Sequence, residues 1–203
     1  MPNALLSVAD KTGLVEFAGS LSDLGWRLIA SGGTAKAVRN AGIQVTDVSE
    51  YTGSPEILGG RVKTLHPAIH GGLLARDLRD DWSELGKLGW EQIDLTAVNL
   101  YPFSETVSDN DATFADAIEN IDIGGVALIR AAAKNQRDVA VVTNPGQYPD
   151  IISELEMNDG SLSAETRFGL AKSALVLIIV QLALQSPAVT SPARSTPVLG
   201  ELG

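Results

Sequence analysis

Several stretches of the sequence set charged or hydroxyl side chains beside glycine. Ser31-Gly32-Gly33-Thr34 follows an apolar run and opens a helical pattern. Glycines let a backbone approach an anion, and a helix N-terminus offers free N–H groups and the positive end of a dipole. Ser31 and Thr34 add hydroxyl donors. The stretch reads as a phosphate cradle or as a plain strand-to-helix turn; it is neither a Walker loop nor a dinucleotide fingerprint. Asp10-Lys11-Thr12 follows an earlier apolar run in the same way. Asp10 reads first as a helix cap and Lys11 as a solvated lysine, with phosphate contact as the alternative.

Gly59-Gly60-Arg61-Val62-Lys63-Thr64-Leu65-His66-Pro67 is the most suggestive stretch. On extended backbone Arg61 and Lys63 point the same way, giving a double-cation face suited to an anionic substrate. The alternative is a solvated basic edge. His66 and His70, the two histidines of the chain, have i, i+4 spacing that a helical metal pair would need. Pro67 lies between them and no acidic third ligand is near in sequence, so structural or substrate-orienting roles rank above metal binding. Asn99-Leu100-Tyr101-Pro102 ends another apolar run, and Tyr101 is either a core ring or a substrate-facing hydroxyl. Asp122-Ile123-Gly124-Gly125 joins two helical segments, where Asp122 reads as a cap; Lys134 reads as an exposed helix lysine. No spacing argument links either to Lys63.

The elements that must position these residues alternate. Apolar runs at 4–8, 27–30, 43–48, 95–100 and 139–142 read as strands. Helical patterns cover 12–24, 34–40, 111–121, 126–134 and 147–157. Strands alternating with helices predict βαβ units: an α/β fold with three α/β/α layers and a mostly parallel central sheet. In such sheets ligands sit beyond the carboxyl ends of the strands, which is where Asp10, Ser31 and Asn99 fall. The run 174–184 is apolar all round and must be covered by the fold or by a partner. The stretch 186–203 carries three Ser-Pro or Thr-Pro pairs and reads as a flexible tail.

Composition narrows the partners. The 203 residues are 44% hydrophobic and 20% charged, which excludes a mostly disordered chain. Aromatics are only 5%, so the core is aliphatic. A net charge of −10 argues against nucleic acid as a partner, since that binding rests on Lys and Arg at phosphates. There is no cysteine, hence no disulfide or thiolate metal site. No signal peptide is visible, and the apolar run falls short of the ~20 residues of a membrane span. The expectation is a cytoplasmic protein with no membrane partner.

Taken together, SVADKTGLVEFA, IASGGTAKA, GGRVKTLHPAIHGGLLAR, NLYPF and IDIGGVALIRAAAKN closely resemble the IMP cyclohydrolase domain of the bifunctional AICAR formyltransferase/IMP cyclohydrolase family, in the right order over residues 4–172. The resemblance implies a methylglyoxal-synthase-like fold. It implies ring closure of 5-formamido-AICAR ribotide (FAICAR) to IMP and water, with no metal, cofactor or folate, and a homodimer. It implies substrate binding by Asp10, Lys11, Ser31, Gly32, Gly33, Thr34, Arg61, Lys63, Thr64, Asn99, Asp122, Ile123 and Gly124. It implies a catalytic group of Lys63, Tyr101, Asp122 and Lys134. The sequence leaves the family pattern in two places. The transformylase domain is absent, so no formyl transfer is expected, and residues 173–185 form an atypical apolar helix. The alternatives are a methylglyoxal-synthase-like lyase acting on another phosphate substrate, a module that binds a purine nucleotide without turnover, and an interaction protein using the apolar helix.

Overall fold

The computed structural model describes residues 1–100 and 118–190, with side chains of the last helix described to residue 183. Five strands form one all-parallel sheet: β1 (Asn3–Val8), β2 (Arg27–Ala30), β3 (Thr46–Asp47), β4 (Leu95–Asn99) and β5 (Ala140–Val142). Their spatial order is β3-β2-β1-β4-β5. The chain winds outward from β1 to β3, then returns to β1's other side with β4. That reversal opens a crevice at the carboxyl ends of β1 and β4.

Both faces of the sheet are covered, which is why the middles of its inner strands run apolar at successive positions, as in Ala4-Leu5-Leu6, rather than at alternate ones. Ala4, Leu6, Val8, Leu28, Ala30, Leu95 and Ala97 face one core, under α1 (Leu14–Asp23) and α2 (Gly32–Asn40). Leu5, Ile29, Val98 and Val141 face the other. That second core is closed by α3 (Val48–Thr52), α4 (Pro67–Leu74) and α6 (Gly124–Lys134). The short α5 (Arg79–Lys87) lies outside and contributes no buried residue. The first core is completed by α7 (Tyr148–Met157), where Tyr148 stacks on Phe17 with ring centroids 4.1 Å apart.

Three expectations are corrected. The third strand is only Thr46–Asp47, because the Ile43 N–H donates to the Val38 carbonyl at the end of α2 instead of joining the sheet. The Gly59–Pro67 stretch is not extended. Leu58–Gly60 is a 3-10 turn, and Arg61, Lys63 and Leu65 each donate backbone N–H to the carbonyl three residues back in successive turns.

The third correction concerns the apolar helix. It is not a separate element beginning after Lys172; α8 runs unbroken over Ala164–Thr190. Its buried positions, Leu170, Ala171, Ala174, Ile178 and Gln181, recur at helical spacing across that boundary, so one packing face continues through it. The helix also continues past Pro187, where the tail was expected to begin. A proline near a helix end removes one hydrogen bond while the ladder before it stays intact. By length and composition alone Ala164–Ala183 (20 residues, mean hydropathy 1.5) could cross a membrane, although part of it packs on α6 and β5. Its outer face exposes Leu175, Val176, Ile179, Val180 and Leu182.

Candidate functional site

The N-terminus of α2 is the centre of the site. Ser31 leaves β2 in an extended conformation, and Gly32 turns the chain into the helix with φ 51°, a left-handed value that suits glycine. Two lysines from other loops converge on this turn. A Cβ placed on Gly32 would stand 3.0 Å from Lys63 Nζ, and one on Gly33 would stand 3.8 Å from Lys11 Nζ. The first N–H groups of a helix have no intrahelical acceptor. Here they share a few ångströms with two ammonium groups, a set of donors matched to a phosphate.

The Thr34 hydroxyl does not belong to that set. It accepts from Val8 N–H at 3.0 Å, donates to the Val8 carbonyl at 3.1 Å, and is buried. It fastens α2 to the end of β1, so the expectation of a free hydroxyl there is corrected. Ser31 Oγ lies 3.4 Å from Ser7 Oγ.

Asn99, at the end of β4, holds the loop after β1. Its Oδ1 accepts from Ala9 N–H (2.6 Å) and Asp10 N–H (2.9 Å), and its Nδ2 donates to the Asp10 carbonyl (2.8 Å). Asp10 in turn accepts from the Thr12 N–H and hydroxyl, and these bonds hold its carboxyl below the ordinary value. The helix-cap expectation for Asp10 is corrected: α1 has Gly13 as its N-cap with no side-chain cap bond, and Asp10 instead closes a turn on Thr12, through which Asn99 places Lys11.

The loop Ser54–His66 brings Arg61, Lys63 and Thr64. Lys63 Nζ pairs with Glu56 at 2.9 Å, and Arg61 pairs with Glu119. Gly60, at φ 90°, passes so close that a Cβ there would meet Lys63 Cε at 2.7 Å. Thr64 is buried, and its Oγ1 lies 3.2 Å from where a Gly124 Cβ would be. This contact and the Arg61–Glu119 pair join the loop to the turn that starts α6. In that turn Asp122 Oδ1 accepts from Gly125 N–H at 2.7 Å. Burial raises the Asp122 carboxyl above its ordinary value, and the Gly125 bond only partly opposes this. Ile123 is exposed beside it.

The structure therefore gathers Lys11, the α2 N-terminus, Lys63, Thr64, Asn99 and Asp122 at one end of the sheet. It does not bring Lys134 there. Lys134 ends α6, roughly 15 Å along the helix axis from Gly124 at 1.5 Å per residue. It lines a groove with His70, Leu74, Arg130 and Leu175. The physical reason is the helix: α6 starts at the site and runs away from it. Tyr101 lies outside the described residues, as does most of the expected helix 111–121.

The histidines divide. His66 caps α4, its Nδ1 accepting from Ala68 N–H at 3.1 Å, and its Nε2 lies 3.2 Å from Ser54 Oγ. Both ring nitrogens are thereby engaged. Burial pushes the His70 imidazole below its ordinary value. Among the described residues no three His, Asp or Glu side chains form a metal-binding group. Sequence reasoning missed Glu56 and Glu119, the counter-ions of the two loop cations. Neither spacing carries a signal, since one partner is in an irregular loop and the other is 58 residues away.

A family model described as the MGS-like domain matches residues 13–127. The chain belongs to the MGS-like domain family. A second model, the AICARFT/IMPCHase bienzyme, matches residues 132–179. This MGS-like chain thus carries both matches of the IMP cyclohydrolase part of the bifunctional protein, within a family of purine-biosynthesis enzymes. The second match runs through Ile179, beyond Lys172, into the helix that looked atypical. The crystal structure of ForH is similar at 34% identity, covering 93% of this chain and 98% of that chain, with a TM-score of 0.83. The three-layer fold and the family are as the sequence led us to expect.

Proposed function

We propose that this MGS-like protein is an IMP cyclohydrolase, a hydrolase acting on a cyclic amidine and run in the ring-closing direction: it converts FAICAR to IMP and water. The observation that carries this reading is the convergence of Lys11 and Lys63 on the N-terminus of α2, with the raised carboxyl of Asp122 across Thr64 and Gly124. The α2 N-terminus with Lys11 supplies the phosphate site, and Lys63 beside it is the acid for the ring. Asp122 supplies a base held partly out of water.

The substrate carries its carboxamide nitrogen and formyl carbon on adjacent ring positions. Closure is intramolecular, so the cost of bringing two reactants together is largely absent. The carboxamide nitrogen attacks the formyl carbon and loses a proton to Asp122. The formyl oxygen takes negative charge, which the Lys63 ammonium stabilises and then neutralises with a proton. The resulting carbinolamine loses its hydroxyl with a second nitrogen proton as water, leaving the C=N bond of the purine. Atoms balance without a metal, a folate or a redox cofactor. For water loss the protonated Asp122 returns its proton to the departing hydroxyl while the neutral Lys63 amine takes the second nitrogen proton, so both groups regain their starting charge.

Tyr101 is proposed as a second donor to the formyl oxygen. For Lys134, the position at the far end of α6 leaves no contact with this cluster within one chain, and its proposed proton transfer rests on the resemblance alone. A homodimer accompanies the proposal on the same ground, and a cytoplasmic location remains the expectation read from the sequence.

Incubating the purified protein with FAICAR, with chelator and without folate, tests the reading by IMP absorbance. Rapid IMP formation that is lost in Lys63→Ala is the expected result. In that variant turnover falls more than IMP affinity; equal losses in both remove Lys63 from the chemistry. A folded protein that binds IMP without ring closure makes this a nucleotide-binding module instead.

A further inference from the structure

The loop Ser54–His66 holds the cations of the site, yet its middle is strained. Leu58, Gly59 and Gly60 have φ of 51°, 62° and 90° in succession. Leu58 is not glycine, and such a conformation persists only where surrounding contacts determine it. Leu58 is itself well exposed, so packing of its side chain does not provide them.

The contacts lie at the loop's two ends and meet on one ring. His66 Nδ1 accepts from Ala68 N–H at 3.1 Å, so that nitrogen carries no proton. A neutral imidazole then has its proton on Nε2. At 3.2 Å this N–H is a donor to Ser54 Oγ. The tautomer is thus set by the helix cap, and the cap's other nitrogen closes the loop. Trp90 packs edge-on against the ring with centroids 6.2 Å apart. His66, Ser54, Glu56, Lys63 and Ser31 border one cavity of about 180 Å³.

We propose that His66 is a positioning residue: its imidazole clasps both ends of the Ser54–His66 loop and thereby sets Lys63 against the N-terminus of α2. This deepens the cyclohydrolase reading and rests on it for the role of Lys63. Neither histidine nitrogen is offered to the substrate. A misplacement of a catalytic group by about 1 Å can cost on the order of a hundredfold in rate, so a loop anchor without substrate contact can still set turnover.

The test uses Ser54→Ala, Ser54→Thr, His66→Asn and the Ser54→Ala/His66→Asn double variant of the full chain. Asparagine retains a cap for Ala68 N–H but not the link to Ser54. Threonine retains the hydroxyl. Hydrogen exchange of the amides at 58–65 in the ligand-free protein is expected to rise at least tenfold in Ser54→Ala and His66→Asn. The double variant should rise no further, and Ser54→Thr should match the parent. Ring closure should fall about tenfold in the same pattern, with IMP still binding one per chain, which separates misplacement from partial unfolding. Unchanged exchange in Ser54→Ala overturns the clasp whatever the protein catalyses. Additive losses in the double variant, or no rescue by threonine, also overturn it. If the parent shows no ring closure but exchange follows the expected pattern, the cyclohydrolase reading fails while the clasp stands as the loop's anchor.

Discussion

Asp122→Asn separates the chemistry of the site from its architecture. Asparagine keeps an Oδ1 that can accept from Gly125 N–H, the 2.7 Å bond that caps α6. It removes only the charge and the basicity. Burial raises the Asp122 carboxyl above 3.8 in the folded protein, against the lowering effect of the Gly125 bond. An acid with a raised folded value binds its proton more tightly folded than unfolded. Stability is therefore lost as pH rises from the unfolded value through the folded one. The side chain is only half-buried, so solvent screens much of it. Replacing the carboxylate should leave stability unchanged or raise it by up to about 1 kcal/mol in urea unfolding at pH 7. At pH 3, below both values, the gain should vanish. Ring closure should fall by about 10²–10⁴-fold, the range supplied by a positioned base. The pH profile of kcat/KM in the parent should show an acid limb above the ordinary carboxylate range, and the limb should be missing in the variant. Retained turnover together with a loss of more than about 2 kcal/mol would refute the reasoning and leave Asp122 as a cap alone.

Other substitutions read the scaffold. Thr34→Val keeps the shape but strands the buried Val8 N–H and carbonyl, and should cost about 2–4 kcal/mol in urea unfolding; a loss below 1 kcal/mol would show that water replaces the hydroxyl. Asn99→Leu removes three bonds at the end of β1, two of them solvent-exposed. It should cost about 2 kcal/mol and weaken IMP binding by loosening the Lys11 loop, with unchanged IMP affinity in calorimetry counting against that link. Gly72→Ala puts a Cβ 2.7 Å from the Glu91 carbonyl oxygen and 3.0 Å from Ile93 Cγ1. With backbone on one side and core on the other, about 1–3 kcal/mol should be lost without change in kcat, as measured by thermal unfolding and the IMP assay.

What could be read from the sequence follows the range of the interactions involved. Strands β1, β2, β4 and β5 were legible because a sheet covered on both faces makes its strands apolar at successive positions, as in Ala4-Leu5-Leu6 and Val139 to Val142. Ile43 and Val45 look the same but pack beside the first core outside the ladder, and nothing local separates the two outcomes. The α2 turn was legible as a strand end, a left-handed glycine and a helix N-terminus because that backbone chemistry follows from Ser-Gly-Gly-Thr. That Thr34 spends its hydroxyl on Val8 was not, because the partner lies across a strand crossing. Helix α8 was misjudged for a related reason. Composition reports how apolar a helix is but not how many of its sides are covered, and here one stripe is buried while Val176 and Ile179 face outward.

The two paired cations bear on how a chain of net charge −10 would hold the phosphate proposed for it. Lys63 and Arg61 face Glu56 and Glu119, which balances the positive charge that the loop brings together. Both carboxylates are substantially exposed, and exposed pairs of this kind are worth about 0–1 kcal/mol. A free phosphate dianion at the α2 N-terminus would offer Lys63 more charge at the same distance, together with free backbone N–H donors. Exchange of partner should therefore cost little. A bulkier or singly charged anion has less to offer. On this reasoning Glu56→Gln should tighten inorganic phosphate binding severalfold, no more than about fivefold, because one weak pair no longer has to be broken. The gain should shrink as salt is raised, since the pair lies partly in solvent. Weaker phosphate binding in Glu56→Gln would mean instead that the carboxylate is needed to aim Lys63, and the competition account would fail.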